Sequence, residues 1–353
     1  MPKHLFIASS QPYSGKSATI LGLANELISK KISLGYAKPI GTYFNTTDSL
    51  KQEQDLEFIT KNLGLSKGQF KAPFVFLDEK TINQYLQNQS NYNYQDYLNS
   101  YCQEIEADLV LLEGAGDLRQ GNLFNLSTPE IVKAIDAQVL LVVKYNPLLL
   151  IDQVLDAKQI LGDRLLGVLI NSIPAEKIET IQSIIKPFFK QRNIDTLGLL
   201  ASNNLLQSVS VRELVEQLNA KVLCREDRLD FMVESLTVGA MNVNAALEYF
   251  RQGQNMAVVT GGDRTDLQLA ALESSTNCLI LTGNTPPQPL ILARAEDLEI
   301  PILSVNLDTL TTVEIVDQAF GQVRLHETIK VECIQDLIKK YFDLDLLISK
   351  LGL

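Results

Sequence analysis

Ser10-Gln11-Pro12-Tyr13-Ser14-Gly15-Lys16-Ser17 follows a short apolar run, Leu5-Phe6-Ile7-Ala8, and precedes Ile20, Leu21, Leu23, Ala24, Leu27 and Ile28 at helical spacing. Strand, glycine-containing loop and helix in that order match the phosphate-loop template G-x-x-x-x-G-K-[ST] at Gly15, Lys16 and Ser17, with Ser10 in place of the first glycine. The residue types suit an anion. A glycine lets the backbone approach phosphate closely, and the amides of Ser10, Tyr13, Ser14 and Gly15 belong to a turn that opens a helix N-terminus. Lys16 supplies a point charge for terminal phosphates, and Ser17 a hydroxyl for Mg²⁺. The alternative is a strand-turn-helix whose Gly-Lys-Ser carries no ligand.

Outward from the loop, short apolar runs alternate with helical periods, the signature of βαβ units and a mainly parallel sheet. Ser33 to Ile40, Asp108 to Leu112, Gln138 to Lys144 and Leu165 to Asn171 read as further strands. The Asn- and Tyr-rich tract from Phe70 to Asn99 reads as a polar insertion with weak helices. A second alternation starts after the Asn/Ser-rich stretch near residue 205. Its strands are Lys221 to Cys224, Met256 to Thr260, Cys278 to Thr282 and Ile302 to Val305, with helices between them. The expected fold is therefore α/β: a phosphate-loop NTPase-like, mostly parallel sheet with helices on both faces, then a smaller α/β domain. The expected boundaries are 1–205, 206–325 and a C-terminal helix within 326–353. That helix, Val331 to Lys350, is expected to pack on the second domain or on another subunit.

Composition narrows the chemistry. The 353 residues suit about two domains, and 46% of them are hydrophobic, ample for ordinary cores. With 31 Lys+Arg against 42 Asp+Glu the net charge is −11, which opposes nucleic acid and anionic membranes as partners. Four isolated cysteines and two histidines supply neither a zinc cluster nor a histidine-based nucleophilic centre. There is no signal-peptide layout and no run of roughly 20 apolar residues, so a cytoplasmic location is expected.

Two more features sit at strand ends. Gly35-Tyr36-Ala37-Lys38-Pro39-Ile40 places a lysine after the second strand, and Glu113-Gly114-Ala115-Gly116 places a carboxylate after the third. Taken singly, each reads equally as a solvated surface charge. Together with the loop, they resemble dethiobiotin synthetase and its relatives, among them the cobyrinate diamide synthetases and the N-terminal region of long phosphate acetyltransferases. The resemblance covers about residues 3 to 205, and loops of that family also lack the first glycine. It implies ATP and Mg²⁺ as cofactors, Lys16 and Lys38 at the phosphoryl-transfer site, and Ser17, Asp55 and Glu113 facing the metal. It further implies Asn171 reading the adenine base. One departure is Asp117, which stands where the family has a second glycine and brings a negative charge toward the site.

In the second half, Met256–Thr260 leads into Gly261-Gly262-Asp263-Arg264-Thr265-Asp266 and a helix. Thr265 or Asp266 could cap that helix, and Arg264 could grip a phosphate or carboxylate. Two readings stand level: an anion or nucleotide site, and a structural turn in which Arg264 pairs with Asp263, Asp266 or a neighbouring subunit. With Val238-Gly239-Ala240-Met241 upstream, this half resembles the DRTGG domain. That resemblance implies nucleotide-responsive control, homo-oligomers and a metabolic enzyme as partner. The leading expectation is a regulatory or sensing adenine-nucleotide-binding protein related to the phosphate acetyltransferase N-terminal region but lacking its acetyl-transfer domain. Weak ATPase activity is compatible with that role; the alternatives are an ATP-dependent ligase that activates a carboxylate or carbamate, and a dimerising scaffold with a vestigial loop.

Overall fold

Strand Lys3–Ser9 is buried over its last five residues, Leu5 to Ser9, each no more than 1% exposed. Successive strand residues point to opposite faces, so a run buried without alternation belongs to a sheet covered on both sides. In the computed structural model, which describes residues 2–41, 54–88, 94–323, 325 and 327–353, this strand is the centre of a seven-stranded sheet. The order is Phe70–Lys71, Leu34–Ala37, Leu109–Glu113, Lys3–Ser9, Gln138–Lys144, Leu165–Ile173, Thr196–Ala201, and every pairing is parallel. All carboxyl ends therefore lie along one edge. Strand order reverses beside Lys3–Ser9, which makes the loop after Ser9 the natural ligand crevice of such a sheet.

The tract from Phe70 to Asn99 is not an appendage. Phe70–Lys71 supplies the edge strand beside Leu34–Ala37, and Val75–Phe76 pairs with Ile40–Gly41. Helices Glu79–Asn88 and Tyr94–Gln103 follow, and Tyr101 packs edge-on against Phe74 with ring centroids 5.0 Å apart. Helices were expected here, but asparagine and tyrosine content hid the two strands, because a few aromatic anchors bury the segment.

By contact, the chain forms two units: residues 1–202 with 325–353, and residues 203–324. The C-terminal segment thus returns to the first unit rather than packing on the second. It also forms two helices, Thr328–Tyr341 and Leu344–Leu351, where one was expected. Between them Phe342 bridges Gly198, Asp343 donates its N–H to the Leu197 carbonyl at 2.7 Å, and the Asp343 carboxylate accepts from Leu346 N–H at 3.0 Å. Thr328–Tyr341 packs on Lys16–Ser29, the helix that opens with the phosphate loop. A Cβ on Gly22 would stand 2.5 Å from Ile338 Cγ1, so only glycine allows this approach.

Asp195 fastens the last helix. Burial disfavours its charge, but hydrogen bonds from Lys190 and Lys350, reinforced by their charges, outweigh this and lower its pKa. A carboxylate with a lowered folded-state pKa stabilises above its ordinary pKa, and that stabilisation is lost as pH falls through the folded value. The stability difference between wild type and Asp195→Asn is therefore expected to narrow on acidification in denaturation curves. A difference independent of pH would contradict the ion-pair account.

The second unit holds a five-stranded sheet in the order Lys221–Cys224, Ile302–Ser304, Thr276–Thr282, Met256–Gly261, Ser235–Gly239. Only Lys221–Cys224 runs antiparallel. The carboxyl ends of the other four again share an edge.

Candidate functional site

Gly15 stands at the N-cap of Lys16–Ser29 with φ +99°, a conformation that side chains with a Cβ strain to adopt. Tyr13, also left-handed at φ 55°, turns its ring out and is 43% exposed. Inside the loop the Ser14 hydroxyl donates to the Gln11 carbonyl at 2.8 Å. Lys16 Nζ donates to Ser9 Oγ at 2.8 Å, and that hydroxyl lies 2.9 Å from both the Gln11 and the Gly116 carbonyl oxygens. Ser10 is directed elsewhere, its hydroxyl donating to Gln153 at 3.2 Å.

The strand ends bring the charged groups together. The Ser17 hydroxyl donates to Glu113 Oε1 at 2.9 Å, and Tyr36 donates to Glu113 Oε2 at 2.9 Å. Lys38 Nζ lies 3.7 Å from Glu113 Oε1. Glu113 and Lys38 are each only 3% exposed, so neither is the solvated surface charge that either could have been when read alone. A buried carboxylate needs this many partners, since an unpaired charge there would cost several kcal/mol. The Ser17 hydroxyl and one carboxylate oxygen, side by side, are the hard oxygen donors that Mg²⁺ takes while keeping phosphate and water as its other ligands. That donor set fits the metal. It is a small set: among the described residues no group of three or more His, Cys, Asp or Glu side chains could hold a metal. Asp55 lies in helix Gln54–Leu63, and its side chain is outside the described residues.

Asp117, the departure, and Asn171, the expected base reader, each have defined partners. Asp117 is held in a turn, where its Oδ1 accepts from the Arg119 and Gln120 N–H groups at 2.7 and 2.8 Å. Asn171, at the far strand, donates from Nδ2 to the Ser14 carbonyl at 3.0 Å and so touches the loop itself. Sequence reading missed Ser9 and Tyr36. Tyr36 was within reach, since it lies two residues before Lys38 on the same strand approach and shares its face. Ser9 carried no signal beyond ending a strand.

In the second unit, Gly261 ends its strand and Gly262 opens the turn after it, where the Gly262 N–H donates to the Thr282 carbonyl at 3.1 Å. Arg264 donates to the Met241 carbonyl at 3.1 Å and lies 3.4 Å from Asp266. Its hydrogen bond is the main cause of a lowered Asp266 pKa. Neither Thr265 nor Asp266 caps helix Thr265–Leu272: Arg264 occupies the N-cap position, with no side-chain bond to the helix start. Asp263 is exposed. Arg264 thus makes the intrachain contacts of the structural reading. Gln268, fully buried, donates to the Gly261 and Gly262 carbonyls and holds the turn from inside.

Comparison with known proteins finds two family models along the chain. A family model described as an AAA domain matches residues 3–225, and one described as the DRTGG domain matches residues 213–319. A phosphate acetyltransferase from Nitratidesulfovibrio vulgaris is 25% identical over 376 residues, covering 99% of this chain and 52% of that protein. One from Synechocystis sp. is 24% identical over 321 residues, covering 84% and 44%. The chain therefore spans about half the length of the curated relatives it matches. Among solved structures, the CBS and DRTGG domains of the regulatory region of Clostridium perfringens pyrophosphatase, complexed with the activator diadenosine tetraphosphate, align with a TM-score of 0.29 and 16% identity. That alignment covers 49% of this chain and 86% of that one. Among the described residues no helix is long and apolar enough to cross a membrane.

Proposed function

Since the chain belongs to the AAA domain family matched by residues 3–225, of the dethiobiotin synthetase-like phosphate-loop kind, we propose that it is a Mg²⁺-dependent adenine-nucleotide-binding protein with a regulatory role. The observation that carries the reading is the buried Glu113 carboxylate 2.9 Å from the Ser17 hydroxyl, at the start of the helix that the phosphate loop opens. In this proposal Lys16 and the loop amides hold phosphate oxygens, and Ser17 and Glu113, with Asp55, hold the metal. Bound Mg²⁺ would neutralise charge on the terminal phosphates. Lys38 faces the outermost phosphate, and Asn171 lies on the base side. The second unit, with Gly261 to Thr265 at its strand ends, serves as the regulatory part through which a homo-oligomer or a metabolic enzyme responds. The negative overall field requires that these few local groups do the binding.

A ligase reading has one observation in its favour: Lys38, buried beside Glu113, could stabilise a transferring phosphoryl group. Product analysis separates the two. The full chain with ATP and Mg²⁺ is expected to bind nucleotide and to release ADP slowly, at a rate indifferent to added small carboxylic or diamino acids. ADP released in proportion to an added acid would replace sensing by ligation. No binding below the millimolar range would remove both readings and leave the scaffold.

A further inference from the structure

Asn171 sits near the end of strand Leu165–Ile173, paired with Lys144, and is 157 residues from Ser14 in sequence. Its amide has two fixed neighbours of opposite kind. The N–H of Ser172 is a donor and lies 2.8 Å from Oδ1, while the Ser14 carbonyl is an acceptor and lies 3.0 Å from Nδ2. Only one of the two amide orientations satisfies both, so oxygen and nitrogen are assigned by their partners. The next residue, Ser172, has φ 56°, unusual for a residue with a Cβ. The Asn171 carbonyl meanwhile accepts the Tyr145 N–H at 2.8 Å.

The loop is shaped to receive this amide. A Cβ on Gly15 would stand 2.6 Å from Asn171 Nδ2, so the glycine both permits the left-handed turn and leaves room for the side chain beside it. The hydrogen bond falls on Ser14, directly between the Ser14 hydroxyl bond to Gln11 and the Gly15 turn. It fixes the peptide plane joining Ser14 to Gly15, because that carbonyl and the Gly15 N–H share one rigid unit.

We propose that Asn171 is a positioning residue for phosphate: its amide braces the Ser14–Gly15 peptide so that the loop N–H groups are held ready for the anion. This rests on the nucleotide-binding reading above and adds to it a role independent of the base. An asparagine amide has two N–H groups and two lone pairs, so bracing the loop leaves one of each for a nucleobase. A residue that only reads the base and one that braces the loop therefore differ in their effect on a ligand without a base.

The test compares ATP, GTP and inorganic tripolyphosphate, each with Mg²⁺, on the full wild-type chain, Asn171→Ala and Asn171→Thr, by calorimetry. Threonine retains a strand-favouring residue, while its hydroxyl is too short to reach Ser14. The brace predicts that both variants lose affinity for tripolyphosphate by about tenfold, the worth of one hydrogen bond to an ordered backbone group, and lose at least as much for both nucleotides. Hydrogen exchange without any ligand gives the second reading: the segment 10–17 is expected to exchange faster in the variants, while strand Lys3–Ser9 is unchanged. Loss of ATP affinity alone, with tripolyphosphate binding and loop exchange as in wild type, would overturn the brace and leave base reading. If wild type binds none of the three ligands, the nucleotide reading itself fails, and the brace fails with it.

Discussion

Glu113→Ala is expected to lower the stability of the first unit by about 3–5 kcal/mol, the range seen when one partner of a buried ion pair is removed. The carboxylate answers three groups at once: the Ser17 hydroxyl, the Tyr36 hydroxyl and the Lys38 ammonium. Lys38 is almost wholly enclosed, so the variant removes one anion beside its charge at a place with little access to solvent. Glu113→Gln keeps the shape and one acceptor oxygen and should cost less, because both hydroxyls retain a polar partner. Hydrogen exchange on strands Lys3–Ser9 and Leu109–Glu113 reports the loss locally, which matters in a chain of two units where one melting temperature does not describe both. If Glu113→Ala leaves those strands as protected as in wild type, the carboxylate is not the centre of the cluster.

Gly262→Ala should be nearly as damaging in the second unit. Its new Cβ would stand 2.1 Å from the Thr285 carbonyl oxygen and 2.9 Å from Thr285 Cβ. No real Cβ tolerates the first distance, and the obstacle is backbone. Nor can the glycine retreat easily: its N–H is bound to the Thr282 carbonyl, and its carbonyl accepts from buried Gln268. Overpacking of this kind costs about 1–3 kcal/mol, and the upper end applies where both sides are tethered. Faster exchange across strands Met256–Gly261 and Thr276–Thr282 is the expected signature. Wild-type protection there would mean that the turn yields, and that its two glycines are not required for close packing.

Much of this was legible in the sequence, for a local reason. The strand-loop-helix around Gly15, and the alternation of elements that makes a parallel sheet, are written in short unbroken apolar runs, in periods of 3.6 residues and in one glycine. Lys38 and Glu113 were visible as strand-end charges, which the family resemblance singled out, although their burial and their mutual approach were not. What escaped depends on residues far apart in the chain. The return of Thr328–Tyr341 onto Lys16–Ser29 needs Gly22 to meet Ile338, and no local pattern in either helix announces the other. The break at Phe342–Asp343 is set by Leu197 and Gly198, across the sheet edge. Asp117 looked like an unwelcome charge because its two backbone donors lie in a turn that its composition does not reveal. The contact Arg264 makes was hidden for the same reason: Met241, its carbonyl partner, lies 23 residues upstream.

The central claim is that the loop from Ser10 to Ser17 holds the phosphates of a Mg²⁺-bound nucleotide. Calorimetric titration of the full chain and of Lys16→Ala with ATP, with and without Mg²⁺, tests it most directly. On this account Lys16 would supply a charge-assisted hydrogen bond to phosphate, worth about 1.5–3 kcal/mol, so the variant should bind Mg²⁺–ATP about 10- to 150-fold more weakly. Wild-type affinity should also fall when the metal is withheld. Equal affinity of the two proteins, or no binding by wild type at all, would contradict the account.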